Sequence, residues 1–187
     1  MKTLVYFVRH AEPDFSIKED MTRPLSEKGV KDSKKVTRTL NDKQISVIYS
    51  SPYKRAIDTI KDFANNKRLE IVANDNFRER KVGEWVENFK LFSENQWKDF
   101  CFKLASGECL KEVQERNVSA LLEVVNSNLG KSIAIATHGT ALSTIINYFD
   151  SSFGYGEFWS IVDKMPYIIC LTFNGMDFKS LEEIELL

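Results

Sequence analysis

Residues Thr3 to Val8 form an uninterrupted run that is apolar in character and rich in β-branched and aromatic side chains. A strand that is exposed on one face alternates apolar and polar residues, whereas a strand covered on both faces is apolar along its length. The run therefore predicts a central strand, buried on both sides in a sheet that is flanked by helices.

Strand and helix patterns alternate along the rest of the chain. Short apolar runs indicate the strands, and apolar or small residues at helical spacing indicate the helices. After the first strand, the sequence predicts a helix at 27–40, a strand at 46–49, a helix from residue 51, a strand at 69–72, a helix at 110–129, a strand at 132–136, a helix at 139–149 and a closing β-hairpin that starts at residue 167. This alternation is typical of an α/β sandwich with a largely parallel sheet.

The length and charge of the chain limit the classes of protein to consider. Its 187 residues suffice for one ordinary domain, and an apolar content of 43% is typical of a folded globular protein. Lys and Arg total 26 and Asp and Glu total 27, which gives a net charge of −1. Without a global positive field, we expect neither nucleic acid nor an anionic membrane as a partner. An anionic ligand must be bound by a local cluster of charges.

The cysteines and the amino-terminal run indicate a cellular compartment. Cys101, Cys109 and Cys170 form no Cys-x-x-Cys pair, and their odd number argues against a disulfide framework. We therefore interpret them as buried or half-buried packing residues in a reducing compartment. The apolar run from Leu4 to Val8 is too short for a signal-peptide core or a membrane span. These features predict a cytoplasmic protein.

An aromatic segment interrupts the alternation of strands and helices. Its aromatic residues are Trp85, Phe89, Phe92, Trp97, Phe100 and Phe102. We predict a helical cap insertion at about residues 84–118, within a single domain that spans residues 1–187. The aromatic rings can pack one helix on another or can face a substrate as part of a lid, and the sequence leaves both interpretations open.

Three strand-to-helix junctions carry the residues with the clearest chemical potential. Arg9-His10 follows the first strand, Ser50-Ser51-Pro52 with Arg55 follows the second, and Thr137-His138-Gly139 follows the later buried strand. In a parallel sheet such junctions lie along the carboxyl edge, where ligands bind. The chain has only two histidines, and both lie at these junctions beside arginines. We therefore interpret them as site residues rather than packing residues.

The same junctions predict a phosphate pocket. The guanidinium groups of Arg9 and Arg55 are planar donor forks that match phosphate oxygens, and the free amides at a helix amino terminus add further donors. Glu79 leads out of the third strand region and would end near the same edge. Taken alone, Glu79 would be interpreted as a solvated carboxylate among basic neighbours.

Five short motifs follow one another in the order of a known family. They are Val8-Arg9-His10-Ala11-Glu12, Pro24-Leu25-Ser26-Glu27-Lys28-Gly29, Ser51-Pro52-Tyr53-Lys54-Arg55-Ala56, Glu79-Arg80-Lys81-Val82-Gly83-Glu84-Trp85 and Thr137-His138-Gly139. Together they resemble the motifs of the histidine phosphatase superfamily, which includes cofactor-dependent phosphoglycerate mutases and many small phosphatases. The resemblance covers nearly the whole chain. It implies a phosphoglycerate mutase-like fold, a three-layer α/β/α sandwich with a mostly parallel central sheet.

The resemblance also implies a role for each residue of the pocket. His10 would be the nucleophile, and Glu79 would donate a proton to the leaving oxygen. Arg9, Arg55 and His138 would bind phosphate, and His138 would also act in catalysis as a donor to the transferring group. No metal and no cofactor is implied.

The chain departs from the family pattern around the first histidine. Ala11 stands where glycine is usual, a variant that the group tolerates. The mutases carry a Ser and an Asn after this motif that help to hold phosphate, whereas this chain has Pro13 and Ser16. We expect Ser16 to be a further phosphate ligand.

These features favour a metal-independent phosphomonoester hydrolase, a histidine acid-type phosphatase that acts through phosphohistidine on a small phosphorylated metabolite. The nearest alternative is a cofactor-dependent phosphoglycerate mutase, but residues 85–116 lack the adjacent arginine pair that the mutases carry in the insertion. A non-catalytic module for phosphorylated ligands is a second alternative, which the intact His10 and Glu79 disfavour. A metallophosphatase is less consistent, because two histidines leave few metal ligands. The substrate and the oligomeric state stay open.

Overall fold

The computed structural model describes all residues from Met1 to Leu187, and it is built around one sheet of six strands. In chain order the strands are β1 (Lys2–Arg9), β2 (Ile45–Ser50), β3 (Ile71–Ala73), β4 (Ser132–Thr137), β5 (Tyr167–Asn174) and β6 (Asp177–Ile184). In space their order is β3-β2-β4-β1-β5-β6. The neighbours β3, β2, β4 and β1 are mutually parallel, while β5 is antiparallel to β1 and forms a hairpin with β6. The predicted mostly parallel sheet is confirmed.

The chain also contains six α-helices. They are α1 (Glu27–Leu40), α2 (Lys54–Lys67), α3 (Phe89–Lys98), α4 (Leu110–Ser127), α5 (Gly139–Phe149) and α6 (Tyr155–Ser160). None of the six has both the length and the apolar character that a membrane-spanning helix needs.

The alternation of side chains along β1 divides the core into two apolar clusters. Val5 and Phe7 point to the layer of α4 and α5, where Leu121 and Leu142 belong to the same buried cluster. Tyr6 and Val8 point to the other face, where α1 and α2 contribute buried residues such as Val36 and Ile60. The chain is thus a three-layer α/β/α sandwich, as predicted. The burial of β1 on both faces explains its uninterrupted apolar sequence.

The strand registers bring the three junctions to one edge. Arg9 at the end of β1 is paired with Thr137 at the end of β4, and Ser50 at the end of β2 is paired with Ala136. The pairing continues one step beyond the strands, where the His10 amide donates to the Thr137 carbonyl at 3.0 Å. The chain therefore leaves the sheet at the same level at all three points.

Several predicted boundaries move by a few residues for local reasons. The third strand was predicted at 69–72, but β3 begins at Ile71, because Arg68 adopts a left-handed conformation that ends α2 and the Leu69 amide still donates to the Ala64 carbonyl. The cysteines are all free, and Cys109 and Cys170 are buried as expected. Cys101 is exposed, so its interpretation as a packing residue is wrong.

The aromatic segment contains one helix of its own. This helix, α3, is followed by an irregular link, and the stretch from residue 110 onward is the first part of α4. Short α6 was not predicted, and it lies beside α3: the Trp159 indole of α6 donates to the Ser93 hydroxyl of α3 at 3.1 Å. A cap function for residues 84–118 stays a prediction.

Candidate active site

The structure holds the ring of His10 by both of its nitrogens. Nδ1 lies 2.7 Å from the Ala11 carbonyl oxygen, which can only accept, so Nδ1 carries the proton and donates. Nε2 then has a free electron pair, and it accepts a hydrogen bond from Nε of Arg55 at 3.2 Å. Burial, followed by the positive charge of Arg55, lowers the pKa of His10 well below its ordinary value. His10 is therefore a neutral imidazole whose free electron pair lies on Nε2.

Arg55 connects His10 to the segment that precedes α1. Its Nη1 donates to the backbone carbonyl of Asp20 at 2.5 Å and lies 3.1 Å from the Asp20 carboxylate oxygen Oδ1. The guanidinium group also lies over the Tyr53 ring, 5.1 Å from its centroid. The Arg55 side chain is buried, whereas that of Asp20 is about half exposed. An anion that binds Arg55 therefore competes with an acidic side chain that can move into solvent.

Arg9 is held mainly by backbone carbonyls between α6 and β5. Nη1 donates to Ile161 at 2.6 Å and to Lys164 at 3.2 Å, and Nη2 donates to Val162 at 2.8 Å. Nε is buried and has no protein partner. Burial is the main cause that lowers the pKa of Arg9 to about 10, so the group is still cationic at neutral pH. The Nε edge is therefore the part of the guanidinium group without a protein partner.

Glu79 reaches the amino terminus of α5 across the sheet edge. Its Oε2 accepts the Thr140 amide and its Oε1 accepts the Ala141 amide, both at 3.1 Å. Oε1 also accepts the amide of Arg80 at 2.8 Å. Free amides at the start of a helix are favourable partners for a carboxylate. The carboxyl group is therefore fixed beside the loop that carries His138.

His138 is enclosed behind His10. The two rings lie 5.1 Å apart between centroids, and Nε2 of His138 is 2.8 Å from the Ser51 hydroxyl. Nδ1 is buried without a partner, and the residue has no exposed surface. Burial, followed by the charge of Arg55, lowers the pKa of His138 well below its ordinary value. His138 is not among the residues that line the cavity described next.

One large cavity opens over these groups, with a volume of about 950 Å³. Four of the predicted site residues line it together: Arg9, His10, Arg55 and Glu79. Ser16 does not line it, because the Ser16 side chain is exposed and its hydroxyl donates to Asp14 at 2.7 Å. The structure therefore brings Arg9, His10, Arg55 and Glu79 together, but it does not bring Ser16 to them.

The cavity wall also contains residues that the sequence reasoning did not assign to the site. They are Lys18, Asp20, Arg23, Tyr53, Arg80, Lys81 and Thr140, among others. Tyr53, Arg80 and Lys81 belong to the quoted motifs, so their positions within these motifs could have predicted them as site residues. Thr140 directly follows the Thr137-His138-Gly139 motif, whereas Asp20 reaches the site through a contact with Arg55 that no local pattern encodes.

The aromatic residues of the insertion divide between packing and the cavity. Phe89 lines the cavity, whereas Trp97 packs on Phe153 and Phe158 with centroids 6.1 and 5.8 Å apart. Trp85 is 89% exposed, so it neither packs in the protein interior nor lines the cavity. Packing is thus observed for Trp97, while a substrate-facing role for the segment stays a prediction. No group of three His, Cys, Asp or Glu side chains is arranged to hold a metal ion.

With this fold and site in view, comparison with known proteins defines the class. The sequence profile of the histidine phosphatase superfamily (branch 1) matches residues 5–182. The chain therefore belongs to this superfamily, and it is a phosphatase of the phosphoric monoester hydrolase class.

Three individual proteins illustrate the likeness. Phosphoserine phosphatase 1 of Hydrogenobacter thermophilus is 29% identical over 147 residues, which cover 70% of this chain and 68% of the relative. Phosphoglycerate mutase-like protein 4 of Arabidopsis thaliana is 27% identical, over 75% of this chain and 68% of the relative. The crystal structure of a phosphoserine phosphatase mutant from Entamoeba histolytica with phosphoserine superposes with a TM-score of 0.77 at 19% identity and covers 96% of both chains.

Proposed function

We propose that this protein hydrolyses phosphomonoesters of small metabolites without a metal ion, through a phosphoryl group carried on Nε2 of His10. The observation that supports this most directly is the state of the His10 ring. Nδ1 donates to the Ala11 carbonyl, so the electron pair of the ring lies on Nε2, where it accepts a hydrogen bond from Arg55. A neutral, oriented imidazole next to a fixed cation is what in-line attack on phosphorus requires.

In the first step Nε2 of His10 forms a bond to phosphorus while the ester bond to the leaving oxygen breaks. The leaving alkoxide takes a proton from Glu79, and the phosphoryl group stays on His10. In the second step Glu79 accepts a proton from water, and the water oxygen attacks phosphorus. Phosphate then leaves, and His10 recovers its free electron pair.

The arginines stabilise the charge on the transferring group. A phosphate that binds Arg55 competes with Asp20 for Nη1 and with Nε2 of His10 for Nε–H. Arg9 contributes its positive charge and the Nε edge, because its other donors are held by carbonyls. His138 adds a ring donor once the enclosed Ser51 contact adjusts.

The substrate is a small phosphorylated metabolite, in agreement with what the relatives' names state. One relative is named a phosphoserine phosphatase, and the Entamoeba structure holds phosphoserine. The mutase alternative has support in the name of the Arabidopsis relative. We favour hydrolysis, since the insertion of this chain lacks the arginine pair of the mutases. We also propose a cytoplasmic location, with neither nucleic acid nor membrane as a partner.

Phosphate release from a broad panel of phosphomonoesters tests this function. We expect turnover that survives exhaustive chelation and is blocked by vanadate, whose trigonal-bipyramidal form imitates the geometry of phosphoryl transfer. Activity that disappears on chelation and returns with zinc or magnesium would contradict the metal-free mechanism. Isomerisation of phosphoglycerates faster than their hydrolysis, in the presence of a bisphosphate, would favour the mutase.

A further inference from the structure

Thr59 is a fully buried residue of α2, and its hydroxyl group joins two segments of the site. The hydroxyl donates to the Arg55 carbonyl at 2.7 Å, and its oxygen accepts the Ala11 amide at 2.9 Å. A hydroxyl group has one proton, so the bond to Arg55 leaves only acceptor capacity toward Ala11. The direction of both hydrogen bonds is therefore fixed.

Ala11 provides the contact that orients the His10 ring. Its carbonyl accepts the proton of His10 Nδ1 at 2.7 Å, whereas its amide donates to Thr59. The residue has no exposed surface, so its amide depends on an acceptor inside the protein. The next residue is also held, because the Glu12 carbonyl accepts the Ser26 amide at 3.0 Å. Thr59 and Ser26 thus hold the backbone on either side of the carbonyl that binds the ring.

The same contacts close a ring of hydrogen bonds around the proposed nucleophile. From the Arg55 carbonyl the ring passes through the Thr59 hydroxyl to Ala11. From Ala11 it passes through the imidazole of His10, and it returns to Arg55, whose Nε donates to Nε2 at 3.2 Å. One turn of α2 therefore acts on both ring nitrogens, on Nε2 directly and on Nδ1 through Ala11. The partners of the two nitrogens decide which of them carries the proton.

We infer that Thr59 is a positioning residue, whose hydroxyl fixes the carbonyl that binds Nδ1 of His10 and thereby fixes the direction of the Nε2 electron pair. This inference rests on the proposed function, in which Nε2 attacks phosphorus. Thr59 does not line the cavity, so it acts through Ala11 and His10 rather than on the substrate. Loss of the hydroxyl should therefore impair the chemical step more than the binding of phosphate.

Thr59→Val tests this role, because it removes the hydroxyl and keeps the branched shape of the side chain. We expect kcat/KM, which reports the phosphorylation of His10, to fall about 10- to 100-fold, the loss that a misplaced reacting group produces. The inhibition constant of inorganic phosphate should change little, because Arg9 and Arg55 keep their charges. Thr59→Ser retains the hydroxyl and should restore most of the activity. Thr59→Ala serves if Thr59→Val does not fold.

Thr39→Val is the matched control. Thr39 is also a buried helical threonine, and its hydroxyl accepts the Leu187 amide at 2.9 Å, but it does not line the cavity. We expect the wild-type kcat/KM in this variant. A purely structural Thr59 would lower stability alone and would leave kcat/KM of the folded protein unchanged. That result, or a loss that Thr59→Ser does not restore, would overturn the inference.

Magnetic resonance of the His10 ring separates failure of this inference from failure of the proposed function. In protein with isotope-labelled histidine, the resonance of the Nδ1 proton is assigned by its loss in His10→Gln. We expect the downfield position of a hydrogen-bonded proton in the wild type, Thr59→Ser and Thr39→Val. In Thr59→Val the resonance should move upfield or disappear through exchange with water.

This resonance requires no turnover, so its loss in Thr59→Val supports the positioning role even if no phosphomonoester is hydrolysed. A proposed function that failed would instead appear as absent turnover in every protein, the wild type included. An Nδ1 resonance that is missing from the wild type, or that is the same in the wild type and Thr59→Val, would contradict the inference.

Discussion

At the residue scale, the proposed nucleophile and a proposed phosphate ligand are hydrogen-bonded to each other. Arg55 donates to the same His10 nitrogen that must attack phosphorus. A bound phosphate, as a stronger acceptor for the guanidinium group, would withdraw that donor and free the electron pair. Substrate binding and activation of the nucleophile would thus be one event.

Replacing Glu79 with Gln tests the acid by its dependence on the leaving group. An alkyl phosphate releases a strongly basic alkoxide, so we expect roughly 100- to 10,000-fold slower phosphorylation of His10. With p-nitrophenyl phosphate the leaving group is already stable, so the loss should be much smaller. The measurement is kcat/KM or the pre-steady-state burst for both esters. The value of kcat alone is unsuitable, because in the proposed mechanism Glu79 also serves the second step.

Glu84→Gln is the matched control, since Glu84 lines the cavity but has no ion pair or hydrogen bond. It should leave the ratio between the two esters unchanged. Equal losses of kcat/KM for both esters in Glu79→Gln would show that Glu79 is not the general acid. A loss in Glu84→Gln that is confined to the alkyl ester would indicate Glu84 as the acid instead.

Residue types and motif positions predicted His10, Arg9, Arg55 and Glu79 as neighbours in the site, and the cavity contains all four. Ser16 was predicted to bind phosphate only because of its position after the first motif. Its hydroxyl instead donates a hydrogen bond to the Asp14 carboxylate. Arg80 was counted only among the basic neighbours of Glu79, but its side chain is buried. Its burial depends on Phe89, Phe92 and Gln96, which a local reading of residues 78–81 cannot include.

At the scale of elements, α1 and the segment after β1 are interlocked. Ser26 caps α1 by accepting the Gly29 amide at 3.0 Å, and its hydroxyl donates to the Glu12 carboxylate at 2.7 Å. The Ser26 amide donates to the Glu12 carbonyl at 3.0 Å. The start of α1 therefore fixes the backbone two residues after His10.

Gly29→Ala should damage both stability and activity. An added Cβ would lie 2.1 Å from the Glu12 carbonyl oxygen, so the backbone after His10 must shift. We expect a loss of about 1–3 kcal/mol in the free energy of unfolding, the range for overpacking, together with a lower kcat. Denaturant unfolding and phosphate release measure the two effects.

Gly156→Ala in α6 is the control, because a Cβ there meets nothing within 4 Å. Its stability should be unchanged or slightly raised. A Gly29→Ala protein as stable and as active as this control would show that the contact with Glu12 is dispensable.

The sequence predicted the regular elements well where one physical signal dominates. The bounds of α1 and α5 follow from the Ser26 cap and from the Gly139 start, and the two-sided burial of β1 follows from its apolar run. The sequence pattern predicted the secondary structure least well at residues 84–109 and around α6. There the aromatic residues pack on one another across segments, so the pattern within either segment is incomplete.

At the scale of the whole molecule, the two histidines couple the site to global stability. Both are buried, and burial lowers the pKa of each well below its ordinary value. The unfolded chain therefore binds more protons than the folded one once the pH falls through the ordinary histidine pKa. The free energy of unfolding should decrease on acidification from neutrality, by up to about 1.4 kcal/mol per pH unit for each histidine.

The dependence of the free energy of unfolding on pH can be assigned to His10 and His138, because the chain has no other histidine. Between pH 7 and pH 5, above the range in which most carboxyl groups titrate, we expect a clear loss of stability in the wild type. The loss should be smaller in His138→Gln, and smaller again when His10→Gln is added. Urea unfolding across this pH range is the measurement. An unchanged slope in the double variant would contradict neutral burial of the two rings.

The most direct measurement is the capture of the phosphoryl group itself. Brief incubation with labelled substrate, followed by an alkaline denaturing quench that preserves the phosphorus–nitrogen bond, should trap one phosphoryl group on His10. Peptide mapping by mass spectrometry should locate the label there, and His10→Ala should carry none. Label that persists in His10→Ala, or that maps to a serine or cysteine in the wild type, would contradict His10 as the nucleophile.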